Sequence, residues 1–149
     1  MTLSEQLQAA LKDAMRAGDE LTKRTLRMVI SAIRLNEVEK GAKLDDAGVI
    51  AVLHKEVKSR QESISDAQKA NRPDLEAESR AEIEVLEKFL PKAFSEAELE
   101  VLVREAIAET GAASQKDMGK VMKVLMPRLQ GRATGDQTSQ AVRRLLDSS

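Results

Sequence analysis

Apolar residues in this chain recur every three or four positions and nowhere alternate one for one between turn signals, which commits the chain to helices. Leu7, Leu11 and Ala14 share one face of a first helix, expected over Ser4 to Ala17 and ending before Gly18. Thr22, Leu26, Val29 and Ile33 repeat the spacing in a second helix, capped by Asp19 and closed by Gly41. After the Leu44-Asp45-Asp46 turn, Ile50, Leu53, Val57 and Ile64 mark a long third helix reaching Lys69. Asn71 offers a cap for a fourth, with Pro73 in its first turn and Leu75, Ile83, Leu86 and Leu90 along its apolar side.

Pro91 then stops the pattern, and Ser95 with Glu98 has the spacing of a capping box. Three further helices are expected, over Glu96 to Glu109, Gln115 to Leu129 and Gly135 to Leu146. Ser114 to Asp117 and Thr134 to Gln137 repeat the cap spacing, and Gly111 and Gly131 fit the C-terminal turns. Only three prolines interrupt the chain, and no strand is expected. The fold class is therefore all-α: an N-terminal helical domain of four helices over residues 1–90 and a C-terminal three-helix domain over residues 91–149.

Several chemistries are excluded by what the chain lacks. It has no cysteine and one histidine, His54, so thiolate nucleophiles, zinc fingers and multi-histidine metal centres are ruled out; no metal and no cofactor is expected. It has no Trp or Tyr, so bases have no stacking platform and any nucleic-acid contact must be to backbone or shape. His54 has no carboxylate three or four residues away to orient it and reads as a flank residue. Asp74, Glu78 and Glu82 form an acidic stripe, but Glu76, Arg80, Glu84 and Lys88 interlace with it at ion-pair spacing, which describes a solvated surface. The start, MTLSEQLQAALKDAM, has no basic region followed by an apolar run, and no stretch approaches about 18 apolar residues. The expectation is a cytoplasmic protein without a membrane partner.

The net charge of -1 hides an uneven distribution. Residues 1–90 hold 15 basic and 17 acidic residues, whereas residues 110–149 hold 7 basic and 3 acidic, net +4. Lys116, Lys120 and Lys123 fall within about 60° on one side of the expected sixth helix, opposite Met118, Val121, Met122, Leu125 and Leu129. Arg128 and Arg132 follow, and Arg132 stands beside the N-terminus of the last helix, where backbone N–H groups favour a phosphate. Gly119 interrupts this helix at a cost that a close approach by RNA or a neighbouring helix would explain, and Gly131 serves the turn. Pro127 implies a kink, a tightened turn or an end at Met126. A secondary basic patch, Lys23, Arg27 and Arg34, lies on the second helix around Ile30, where Asp19 and Glu20 offer local ion pairs to Lys23 and Arg24. On residue chemistry, RNA contact, protein contact and a solvated face all remain open.

Four segments carry a resemblance: TLRMVISAI at 25–33, EVKSRQESI at 56–64, AEIEVLEKFLPKAFSEAEL at 81–99 and AETGAASQKDMGKVMKVLMPRLQGRATG at 108–135. Over essentially its whole length the chain resembles the stand-alone YqeY-like members of the GatB/YqeY family. The resemblance implies an all-helical, two-part protein. Its smaller C-terminal unit is similar to the tail domain of the B subunit of bacterial glutamyl/aspartyl-tRNA amidotransferase, which is associated with the tRNA body and not with the transamidation chemistry. Gly119, Val121, Met122 and Lys123 match the core of that tail, and Gly131, Arg132 and Ala133 match its later Gly-Lys-Ala element with Arg in place of Lys. Thr134 and Gly135 replace an Asn-Pro continuation.

The implied function is a non-catalytic accessory module that binds tRNA or another structured RNA through Lys116, Lys120, Lys123, Arg128 and Arg132. The alternative is an adaptor for a protein partner in translation or aminoacyl-tRNA metabolism, using an apolar patch that includes Ile30. Glutamine-dependent carbon–nitrogen ligase (tRNA amidotransferase) activity is implied by relationship alone, since 149 residues hold neither the kinase-like nor the amidase domain of that enzyme.

Overall fold

A computed structural model describes residues 1–147, and among them the chain forms seven α-helices and one 3-10 turn. By its internal packing it divides into two units, Met1–Leu90 and Pro91–Ser149.

In the first unit, α1 (Leu3–Ala17), α2 (Glu20–Lys40), α3 (Asp46–Lys69) and α4 (Pro73–Glu87) follow one another through short turns. Thr2, Asp19 and Asp45 accept from the backbone N–H groups of Glu5, Thr22 and Gly48, so the first three helices start on side-chain caps. Gly18 and Gly41 end α1 and α2 at φ 69°, a left-handed conformation that a Cβ would strain. Leu3, Leu7, Leu26, Val29, Ile30, Ile33, Val49, Val52, Leu53, Val85 and Leu86 form the core.

Asn71 does not cap α4. It sits at φ 55°, and the backbone N–H groups of Asn71 and Arg72 return to Gln68 and Ala67, so the residue finishes α3. Arg72 occupies the cap position without a side-chain cap bond, and its guanidinium grips Asp74 two residues on. The inner face of α3 is also offset from the expected seam. Val49, Val52 and Leu53 are buried, Ile50, Val57 and Ile64 only partly so, and Leu75 of α4 is exposed. The reason is that the far half of the α3–α4 hairpin is polar. Arg60, 5% exposed, donates to Glu82 across the hairpin at 2.8 Å and to Glu56 at 2.7 Å. Gln68 bonds Glu76 at 2.8 Å. Glu78 and Glu82 of the acidic stripe are thus partners of α2 and α3, with Arg24 reaching them at 2.6 and 3.7 Å.

The second unit packs α5 (Glu96–Thr110), the 3-10 turn Gln115–Asp117, α6 (Met118–Leu129) and α7 (Gly135–Asp147) around Leu99, Val103, Ala106, Val121, Leu125, Leu129, Ala141, Val142, Leu145 and Leu146. Both halves of the Ser95–Glu98 capping box form. Thr134 and Gln137 exchange the same two bonds, each at 3.1 Å. At Ser114 the expected cap is absent; the carboxylate of Asp117 instead reaches back to the N–H of Ala113 at 3.0 Å, tightening the segment into the 3-10 turn so that α6 starts at Met118. Pro127 neither ends nor shortens α6, which continues to Leu129. Pro127 and Lys123, whose carbonyl loses its helical donor to the proline, are both exposed residues.

Candidate functional site

The seven cations of residues 110–149 are held in different ways, and the differences follow from which helix faces them. Arg128 points toward α5 and forms a two-pronged pair with Glu109 at 3.0 and 2.6 Å. That bond holds the Glu109 carboxyl below its ordinary value and raises Arg128. Arg132 is more firmly placed. Its Nε donates to the Lys92 carbonyl at 2.8 Å, its guanidinium lies 3.9 Å over the Phe94 ring, and Glu98 stands 3.7 Å away. The N–H of Phe94 returns the bond to the Arg132 carbonyl at 2.9 Å. Both arginines are thus engaged within the second unit.

The remaining cations are open. Lys120 has only Asp117 at 3.9 Å, and Lys116, Lys123, Arg143 and Arg144 make no ion pair among the described residues. Lys116 belongs to the 3-10 turn and so leaves the helical ladder expected for it. Gln115 beside it donates to the Arg143 carbonyl at 3.0 Å and to Asp147 at 2.6 Å, tying the turn to the last part of α7 and bringing Lys116 to the Arg143 end of that helix. Arg143 and Arg144 are missing from the set that the sequence singles out; the only signal for them is the local charge excess. At 100° per residue they diverge. Arg144 instead lines a cleft of about 160 Å³ with Phe94, Leu99, Ala133, Gln137 and Gln140.

Gly119 has no heavy atom within 4 Å of the position its Cβ would take. It therefore does not admit a neighbouring helix, and its own exposed backbone carries no side chain at that one position. Gly131, at φ 74°, serves the turn together with Gln130 at φ 50°.

The three cations of the secondary patch are held differently. Lys23 pairs with Glu20 at 3.3 Å, Arg27 approaches the Met15 sulfur at 4.0 Å, and Arg34 makes no ion pair among the described residues. Asp19 is occupied by Thr22, whose hydroxyl and N–H hold its carboxyl below the ordinary range. Ile30 is 7% exposed and belongs to the core, so no surface patch is built on it. Among the described residues no three His, Asp or Glu side chains converge as a metal site, and no helix is long and apolar enough to cross a membrane.

The family model described as Yqey-like protein matches residues 4–146. Among curated proteins, the chain is 34% identical over 106 residues to "Altered inheritance of mitochondria protein 41, mitochondrial" of Lachancea thermotolerans, covering 69% of this chain and 57% of that protein. The protein of the same name from Vanderwaltozyma polyspora is 35% identical over 85 residues, 56% of this chain and 46% of its own length. In Pyrenophora tritici-repentis the match is 30% identical over 135 residues, 88% of this chain and 73% of that protein. The chain thus spans about half the length of the first two relatives.

The cytoplasmic expectation does not stand, because these relatives are mitochondrial proteins by name and an acidic, amide-rich opening segment does not report the compartment. With a matched span that takes in all seven helices, the chain belongs to the YqeY-like family of the GatB/YqeY group.

Proposed function

We propose that the chain is a non-catalytic accessory module that holds tRNA or another structured RNA by its phosphate backbone. The observation that carries this reading is the separation of cations in the second unit. Arg128 and Arg132 are met by acids, while Lys116, Lys123 and Arg143 make no ion pair among the described residues and Lys120 has one distant carboxylate. Such charges, on a unit without Trp or Tyr, suit phosphates and A-form shape better than bases. The bare backbone at Gly119 gives a strand room to approach between them.

Four phosphate contacts predict a slope of log affinity against log salt near about −3, so a fourfold rise in salt weakens binding by roughly fiftyfold or more. Titration of folded tRNA at two salt concentrations tests this. The variant carrying Lys116→Glu, Lys123→Glu and Arg143→Glu is expected to lose binding at least tenfold with its helical signal intact, whereas Arg128→Gln, whose charge Glu109 already meets, changes it little. No saturable binding, or equal binding by the triple variant, sinks the reading. As an accessory module the purified chain is also expected to transfer no amide when given ATP, glutamine and misacylated tRNA.

A further inference from the structure

The outer side of α2 carries exposed apolar side chains; of these Met28 also lends its sulfur to Arg60 of α3 at 3.6 Å, while no such bond is made by Leu35 or Val38. Met28 is 51% exposed, Leu35 60% and Val38 79%, although five other residues of the same helix are buried. With Ser31, also exposed, they fall at positions 28, 31, 35 and 38. The steps of three, four and three residues are the heptad spacing of a helix–helix seam. At 100° per residue they occupy an arc of about 80° centred opposite the buried face of Thr25, Leu26, Val29, Ile30 and Ile33. Arg24, four residues before Met28, bounds the ridge by turning aside to Glu78 and Glu82.

The flanking charges say what kind of helix fits. With Met28 and Leu35 at the first core position of each heptad, and Ser31 and Val38 at the second, Arg27 and Arg34 take the flank that precedes the seam. Ala32 and Glu39 take the flank that follows it. Arg27 has the Met15 sulfur at 4.0 Å, and Arg27, Arg34 and Glu39 make no ion pair among the described residues. In a parallel pair the preceding flank of one helix meets the following flank of the other five residues further on. Arg34 of each copy therefore meets Glu39 of the other, twice by symmetry. An antiparallel pair sets arginine against arginine. We infer that this ridge is a self-association surface, on which α2 of a second copy of this chain packs parallel and in register, with Leu35 and Val38 at its centre. The surface is independent of the RNA reading, since it lies entirely on the first unit.

Sedimentation equilibrium from micromolar to millimolar chain tests the inference. Wild type is expected to pass from monomer to dimer over this range. Leu35→Glu with Val38→Glu changes only exposed side chains and is expected to stay monomeric with unchanged helicity and melting. Arg34→Glu and Glu39→Arg are each expected to weaken the dimer about tenfold, and the two together to restore it to within about threefold of wild type. Because the chain has no cysteine, Ser31→Cys supplies a single thiol pair that oxidation cross-links in the parallel, in-register dimer alone. A wild type that remains monomeric throughout, a dimer that survives the change at 35 and 38, a dimer without the cross-link, or a monomer that uses the ridge to hold some other protein would each overturn it.

Discussion

Gly119 stands out in the sequence, and of the two close approaches that would account for it the structure removes the neighbouring helix. A glycine inside a helix asks for a reason, and the sequence offers close packing as one; the structure places open space beside it. Alanine fits there without a clash, and because Gly119 is the second residue of α6 the gain from Gly119→Ala is expected to be about 0.5 kcal/mol or less, below the helix-interior value. If the RNA backbone passes between Lys116 and Lys123, the added methyl also lowers tRNA affinity severalfold, a combination that thermal melting and the titration read separately. Unchanged affinity would put the RNA path elsewhere. Arg128 and Arg132 carry the opposite lesson. Both are basic residues in a basic region, yet Glu109 lies 19 positions from Arg128, and Phe94 and Lys92 lie far back in the chain from Arg132. Separations of that length leave no periodic trace, so charge type was readable and charge occupancy was not.

Among the helices, those that pack by an apolar stripe and start on a cap are readable almost to their ends. Asp19, Ser95 and Thr134 cap as their spacing implies, and Gly18, Gly41 and Gly111 adopt the left-handed turns expected of them. The sequence fails where polar residues replace the stripe. On α3 the inner face passes from Leu53 to Arg60, and a hydrophobic pattern cannot follow a buried guanidinium, although the Glu56–Arg60 spacing is a usable local clue. Arg60 joins α3 to Glu82 of α4, and Arg24 of α2 reaches the same carboxylate. Removing one member of such a set leaves the others poorly solvated. Arg60→Met is therefore expected to cost about 3 kcal/mol in a urea titration followed by helical circular dichroism, and Arg60→Met with Glu82→Leu to recover most of it. Of the outcomes that Pro127 implies, the end at Met126 does not occur, since α6 runs on to Leu129.

Across the molecule several surface carboxylates are held in their charged form by neighbouring donors, and these set its response to acid. Glu109 is held low by Arg128, Glu98 first by the N–H of Ser95, Asp117 first by the N–H of Ala113, Asp74 by Arg72, Glu76 by Arg80 and Asp19 by Thr22. Each binds its proton less readily folded than unfolded, so each contributes stability that is complete above the ordinary carboxylate range and is lost as pH falls through the lowered folded value. Denaturation midpoints are expected to be level from about pH 7 to 5 and to drop below about pH 4, with a shallower fall in Glu98→Gln, Glu109→Gln; equal steepness in that variant would remove these two groups from the account. The all-helical class follows from periodicity alone, because every described element obeys it. Which cations stay open does not, because it depends on the meeting of distant turns.

One such meeting has a further consequence. The segment before α5 reads as connecting chain, yet Lys92 gives its carbonyl to Arg132, Phe94 gives its N–H to the carbonyl of the same residue, and the Phe94 ring lies beneath the guanidinium. A protease needs extended, unbonded backbone in its cleft, and residues 92–94 supply it only on giving up their bonds to Arg132. The stretch that Pro91 marks as a boundary is thus tied down by an arginine some forty residues away.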